Sequence, residues 1–376
     1  MRTGTTLRAA AVGAAMMTLA ACAGGGEEAS GTEPADASLT VVTGVYPLEW
    51  LATEVGGERA AVVQLTEPGV EPHDLELTGR QVAEVSEADI AFTVSGLQPA
   101  VDDAVEQEAA DAALDVADIV ELRPANPEEA HEDEEGEDHA HEDEDEHAHE
   151  EEDSHDDEHA HEDEAAHEDE HAHEEDESHE DEASHEDEHA HDEGEEGDGH
   201  DHGEFDPHFW LDVDLMSQTA TALAERMAEV DPDGAASYEE NAEAVTAELA
   251  AIGEEYEEGM ASCAHDEVVV GHTAFTYLTD AYGLEQIGVS GVDPETEPSP
   301  SQIAAISDIV EERGITTVFT EPLMPDATAD TIAAESGAEV EVLDPLEGIT
   351  EDSPGDDYPS IMRGNLAALT TALECS

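Results

Sequence analysis

AAVVQLTEPGVEPHDLELTGRQVAEVSEADIAFTV, residues 60–94, carries the pattern from which the fold can be read. AAVVQL (60–65) and IAFTV (90–94) are short, almost wholly apolar runs bounded by turn residues. Such runs fit strands buried on both faces. Between them LTGRQVAEVSEAD (77–89) places its apolar residues at helical spacing. Strand, helix, strand is a βαβ unit, and its strands must lie parallel.

The same alternation extends outward. LTVVTG (39–44) reads as a strand with a helix following from about Tyr46, and SGLQPAVDDAVEQEAA (95–110) as loop then helix. DLMSQTATALAERMAEV (214–230) is an amphipathic helix, and AASYEENAEAVTAELAAIGEEYEEGMAS (235–262) predicts one longer than most globular helices. Beyond it come the strand EVVVG, a helix from about Thr273, EQIGVSG, a helix from Pro300 to Glu312, TTVFT, a helix from Asp326, EVEVLD and a last helix from Asp357. The expected architecture is α/β: two lobes with mainly parallel sheets, joined by a long helix, with a binding site in the cleft between them. The expected boundaries are an N-terminal lobe at 39–232, a connecting helix at 233–262 and a C-terminal lobe at 263–376.

The pattern dissolves at Pro124 and resumes near Asp206; residues 124–205 read as a disordered insertion in a surface loop. Residues 128–204 hold 43 acidic residues and 17 of the 21 histidines, without lysine or arginine. With no large apolar side chain to bury, the segment cannot fold by itself. DEHAH recurs at 145, 157, 169 and 187, which pairs His147 with His149, His159 with His161, His171 with His173 and His189 with His191. HAH sets two imidazoles on one side of an extended chain. The segment reads either as a low-affinity collector of metal ions or as a solvated acidic spacer.

The whole chain has a formal charge of −95, from 103 acidic and 8 basic residues, all of them arginine. That excludes nucleic acid as a partner, because phosphate binding needs a cationic face. Cations are the sensible ligands.

Residues 1–21 read as an export signal: Arg2 and Arg8 precede an apolar run too short to span a bilayer permanently. The run ends in Leu19-Ala20-Ala21-Cys22, which resembles a lipoprotein cleavage site with Cys22 as the lipidated residue; an ordinary secretory signal is the alternative. Residues 22–38 read as a flexible tether, which puts the body outside the cytoplasmic membrane on a lipid anchor. In that oxidising compartment Cys263 and Cys375 read as one disulfide, with a two-thiolate metal site as the competing use.

His73 follows the strand AAVVQL, His208 sits in DPHFW and His272 directly follows EVVVG. In open parallel sheets ligands bind beyond the carboxyl ends of strands. Three imidazoles gathered there suit zinc, which usually takes a fourth ligand. Asp206 and Asp74 stand close enough in sequence to orient His208 and His73, or to cap their turns.

GVEPHDLELTGRQ, DPHFWLDV, GHTAFTYLTDAYGL, FTEPLMPDATADTIAAESG and VLDPLEGIT together resemble the metal-binding receptors of bacterial ABC importers for zinc and manganese, over residues 39–375 apart from the acidic insertion. The resemblance implies His73, His208 and His272 as ligands, with Glu351, its neighbour Asp352 or water in fourth place, and Glu321 lining the cleft. Manganese members tend to a carboxylate at the third position, so His272 points to zinc. The implied function is a non-enzymatic, monomeric zinc receptor that delivers the ion to a membrane permease. A manganese receptor, a zinc-buffering or adhesin protein and a zinc hydrolase are the alternatives; no HExxH motif supports the last.

Overall fold

The computed structural model describes residues 37–125, 205–292, 294 and 298–376. The chain divides into two units, Met1–Arg123 with Asp206–Ser376, and Pro124–Phe205. The described residues belong to the first unit, except 124, 125 and 205. Cys22 and the eight paired histidines between 147 and 191 lie outside the described residues.

The quoted stretch folds as β2 (Ala60–Gln64), α2 (Gly79–Ser86) and β3 (Ile90–Thr93). α2 begins in a capping box, where Thr78 accepts from the Gln81 backbone and the Gln81 side chain accepts from Thr78 N–H. Gln81 Nε2 also donates to Leu65 O at 2.8 Å, which closes the stem of the loop between β2 and α2. β1 (Leu39–Thr43) lies between β2 and β3, and β4 (Ala113–Asp115) adds an edge strand after β3. All these pairings are parallel. α1 (Tyr46–Gly56) and α3 (Pro99–Glu108) complete the crossovers. Two short strands, β5 (Arg123–Pro124) and β6 (Phe205–Asp206), pair with each other.

After α4 (Val213–Val230) and α5 (Ala235–Gly259) the plan repeats. β7 (Glu267–Val270), β8 (Glu285–Gly288), β9 (Thr317–Thr320) and β10 (Glu339–Val342) form a parallel sheet in the order β10-β9-β7-β8. The first sheet runs β2-β1-β3-β4, so both switch direction beside their first strand. α6 (Thr276–Tyr282), α7 (Pro300–Arg313), α8 (Ala327–Ser336) and α9 (Tyr358–Ala372) cover the second sheet. The helix expected from Thr273 opens with one 3₁₀ turn, Thr273–Phe275, before α6.

Side chains alternate across each strand, and in the inner strands β1, β3, β7 and β9 both faces are buried. Leu39, Val41, Ile90 and Phe92 of the first sheet, with Val268, Val270 and Phe319 of the second, enter one continuous core. Val42 and Ala91 face the opposite way, into a small core with Val85 and Val101 of α2 and α3. Val269 and Val318 do the same against Ile306, Val310 and Ile332 of α7 and α8.

α5 joins the halves. Its buried residues Tyr238, Ala242, Val245, Leu249, Ile252 and Tyr256 fall four and three apart, which makes one apolar stripe. Near one end Asn241 Nδ2 donates to Val55 O of α1 at 2.9 Å; near the other Tyr256 OH donates to Met362 O of α9 at 2.7 Å. A disulfide links Cys263, just past α5, to Cys375, past α9, and closes a separation of 112 residues. Among the described residues no helix is long and apolar enough to cross a membrane.

Candidate metal centre

His73, His208, His272 and Glu347 each present one donor atom, and these four atoms lie within 4.8 Å of one another. Glu347 Oε1 is the hub. It stands 3.2 Å from His73 Nε2, 2.9 Å from His208 Nε2 and 3.3 Å from His272 Nε2.

The fold delivers each residue separately. His272 follows β7 by two residues, and Glu321 follows β9 directly. These strands are neighbours where the second sheet changes direction. Glu321 therefore meets His272 twice, Oε1 accepting from its backbone N–H at 2.9 Å and Oε2 lying 2.5 Å from Nδ1. His208 is treated alike by Asp206, whose Oδ1 accepts from its backbone N–H at 3.0 Å and lies 2.7 Å from Nδ1. A carboxylate at Nδ1 holds the proton there and turns the Nε2 lone pair to the centre.

Glu347 sits on a constrained turn. Asn365 clamps Asp344, accepting from its N–H at 2.9 Å and donating to its carbonyl at 2.7 Å. Asp344 Oδ1 accepts from Leu346 N–H at 2.8 Å, and Leu346 takes the left-handed φ of 63°. A buried leucine there carries backbone strain of order 1–3 kcal/mol, and the bend aims Glu347 inward.

The segment around His208 is fastened to the C-terminal half. Tyr277 OH donates to Asp206 O at 2.8 Å, Trp210 Nε1 to Pro345 O at 2.7 Å and Tyr358 OH to Trp210 O at 2.6 Å. His208, His272 and Glu347 thus share one support and are buried. His73 arrives from the other half on the loop after β2, and its side chain keeps 10% exposure.

The expected fourth residue, Glu351, is exposed, as is Asp352. The carboxylate that meets the imidazoles is Glu347, four residues earlier, because the bend at Leu346 turns the chain at that point. Asp74 is also exposed, and the carboxylate that accepts from His73 N–H, at 3.0 Å, is Glu71.

Charge is concentrated here. Burial disfavours protonated His208, but Asp206 and Glu347 outweigh it and push its pKa up to about 9. Burial opposes charge on His272 as well, and Glu321 with Glu347 raises it well above the usual range. Burial would raise Glu347, yet His272 and the other two imidazoles hold it well below the usual carboxylate range. Three imidazole nitrogens and one carboxylate oxygen, enclosed and convergent, match the donor set of a four-coordinate zinc-like ion.

A family model described as zinc-uptake complex component A, periplasmic, matches residues 41–372. The zinc-binding lipoprotein AdcA of Streptococcus pneumoniae is 28% identical over 346 residues, covering 90% of this chain and 57% of the relative. The high-affinity zinc uptake system protein ZnuA of Bacillus subtilis is 34% identical over 170 residues, 45% of this chain and 53% of the relative. The chain thus spans just over half the length of these curated relatives. Among solved structures, the laminin-binding protein Lmb of Streptococcus agalactiae superposes with a TM-score of 0.64 at 24% identity, over 89% of this chain and 99% of that one. Zn(II)-bound AdcA of Streptococcus pneumoniae gives 0.62 at 24% identity, over 90% and 58%. These two structures share the fold.

Proposed function

The chain belongs to the family of periplasmic zinc-uptake complex component A, and from that premise we propose that it is an extracytoplasmic zinc receptor that delivers Zn²⁺ to the permease of an ABC importer. His73, His208, His272 and Glu347 hold the ion, while Asp206 and Glu321 orient two of the imidazoles. The ion is cargo, and the protein does no chemistry on it. The observation that carries the reading is the convergence of three Nε2 atoms on one carboxylate oxygen. Manganese is the less suited cargo, because a site dominated by imidazole favours the softer cation.

The export signal read at 1–21 and Cys22 support a body held on a lipid anchor at the outer face of the cytoplasmic membrane. The histidine-rich segment 124–205 collects metal at low affinity; its alternating imidazoles and carboxylates support this.

A zinc titration against a competing chelator tests both parts, with the intact chain, the chain lacking residues 128–204, and His272→Ala. One tight site should survive the deletion and collapse in His272→Ala. Tight binding that vanished with the deletion and ignored His272→Ala would make the chain a zinc sponge instead.

A further inference from the structure

Gln98 is buried, 4% exposed, and belongs to none of the motifs that mark the site. Its Nε2 donates to Thr66 Oγ1 at 2.9 Å and to Pro72 O at 3.0 Å, so both amide protons are used. Thr66 Oγ1 in turn donates to Gly44 O, at the end of β1, at 2.6 Å. Pro72 immediately precedes His73. The chain of bonds Gly44–Thr66–Gln98–Pro72 therefore runs from the sheet to the residue beside the ligand.

We propose that Gln98 is a positioning residue for the metal: its amide latches the loop that carries His73, and this latch sets how fast the ion leaves. The proposal rests on the zinc-receptor reading. His208, tied through its neighbours to Tyr277, Pro345 and Tyr358, shares supports with His272 and Glu347, while His73 stands apart on the loop after β2. Beyond Leu65, whose N–H still pairs with Thr43 O of β1, the backbone bonds inside its loop, Val70 N–H to Glu67 O and Leu75 N–H to Pro72 O, are local and do not reach the sheet. Gln81 ties down the stem, and Gln98 ties down the middle. If Pro72 drifted, a buried donor and a buried carbonyl would both lose their partner, which disfavours intermediate positions. The latch therefore has two states, engaged or open.

Gly44 makes room for it. A Cβ built on Gly44 would stand 1.9 Å from Gln98 Oε1, so any larger residue evicts the amide. Gly44→Ala is thus a second, independent way to open the latch.

The test measures zinc release into excess chelator and the visible absorption of the Co²⁺ form, using the intact chain. The variants are Gln98→Met, which keeps the volume but removes the donors, Gly44→Ala, His73→Ala, and Gln98→Met with His73→Ala. Gln98→Met and Gly44→Ala should each release zinc about tenfold faster, the lower end expected for residues that orient a ligand. Their Co²⁺ spectra should move toward that of His73→Ala. In the His73→Ala background Gln98→Met should add nothing, because the latch acts through that ligand. Release at the wild-type rate, or additive effects in the double variant, would overturn the latch while leaving the receptor intact. A wild-type chain with no tight site would overturn the receptor reading itself and the latch with it.

Discussion

Glu347 Oε1 lies 2.9 Å from His208 Nε2, although 139 residues separate them. Both side chains are fully enclosed, and the same oxygen also reaches His73 and His272. On the proposed reading the charge on Glu347 is needed to hold the ion and the exposed Glu351 is not. Glu347→Gln should weaken zinc by at least about 100-fold, while Glu351→Gln stays within about twofold. Competition titration with a chelator of known affinity checks both; equal losses would return the role to the later carboxylate.

The raised pKa of His208 gives opposite pH trends with and without metal. Its folded value of about 9 exceeds the ordinary 6.5. The metal-free fold thus binds more protons than the unfolded chain between those values. Its stabilisation by this group is complete below pH 6.5 and is lost as pH rises through about 9. Zinc affinity should climb over the same window, because each ion must displace the proton. Melting curves of the chelated protein and calorimetry in buffers of different ionisation enthalpy will show whether protons leave as zinc binds. Proton-free binding at pH 7.5 would contradict the assignment.

Asn365 acts on the ion from a distance, through the turn it clamps. Asn365→Ala leaves the N–H and carbonyl of Asp344 without their partner, and both lie in a buried turn. The expected cost is roughly 1–3 kcal/mol of stability, together with weaker zinc binding as Glu347 loosens. Denaturant titration of the metal-free protein gives the first quantity and chelator competition the second. Unchanged affinity would mean that Leu346 alone fixes the carboxylate.

The disulfide belongs to the fold and lies away from the donors. Replacing Cys263 and Cys375 by serine frees a separation of 112 residues. Chain entropy puts the loss at up to about 5 kcal/mol. Zinc affinity in the folded variant should stay near wild type. Denaturant midpoints with and without reductant read the effect, and a reductant-sensitive wild type is the expected control.

Much of this was legible in the residues. Apolar runs such as AAVVQL and IAFTV announce strands buried on both faces, and the positions of His272 directly after a strand and of His73 on the loop that leaves one announce a cleft. β4 escaped because ALD is three residues long, half-exposed and without an apolar run. Glu347 escaped for a conformational reason. A leucine in the left-handed region has no sequence signature, and in the acid-rich stretch after it Glu351 is the preferred reading, with its neighbour Asp352 as the alternative. Gln98 escaped because a buried amide is recognised by its partners, which the fold alone brings together.

The length of α5 has a mechanical consequence. Its 25 residues make a rod about 37 Å long, pinned to α1 near one end and to α9 near the other. Tilting such a rod by about 2° displaces its far tip by more than 1 Å, enough to rupture a metal–ligand bond of about 2 Å. On the proposed function, a receptor built on this lever would surrender its cargo without changing its outline. Scattering curves of loaded and empty protein should then nearly superimpose, while a pair of spin labels placed across the cleft registers the difference.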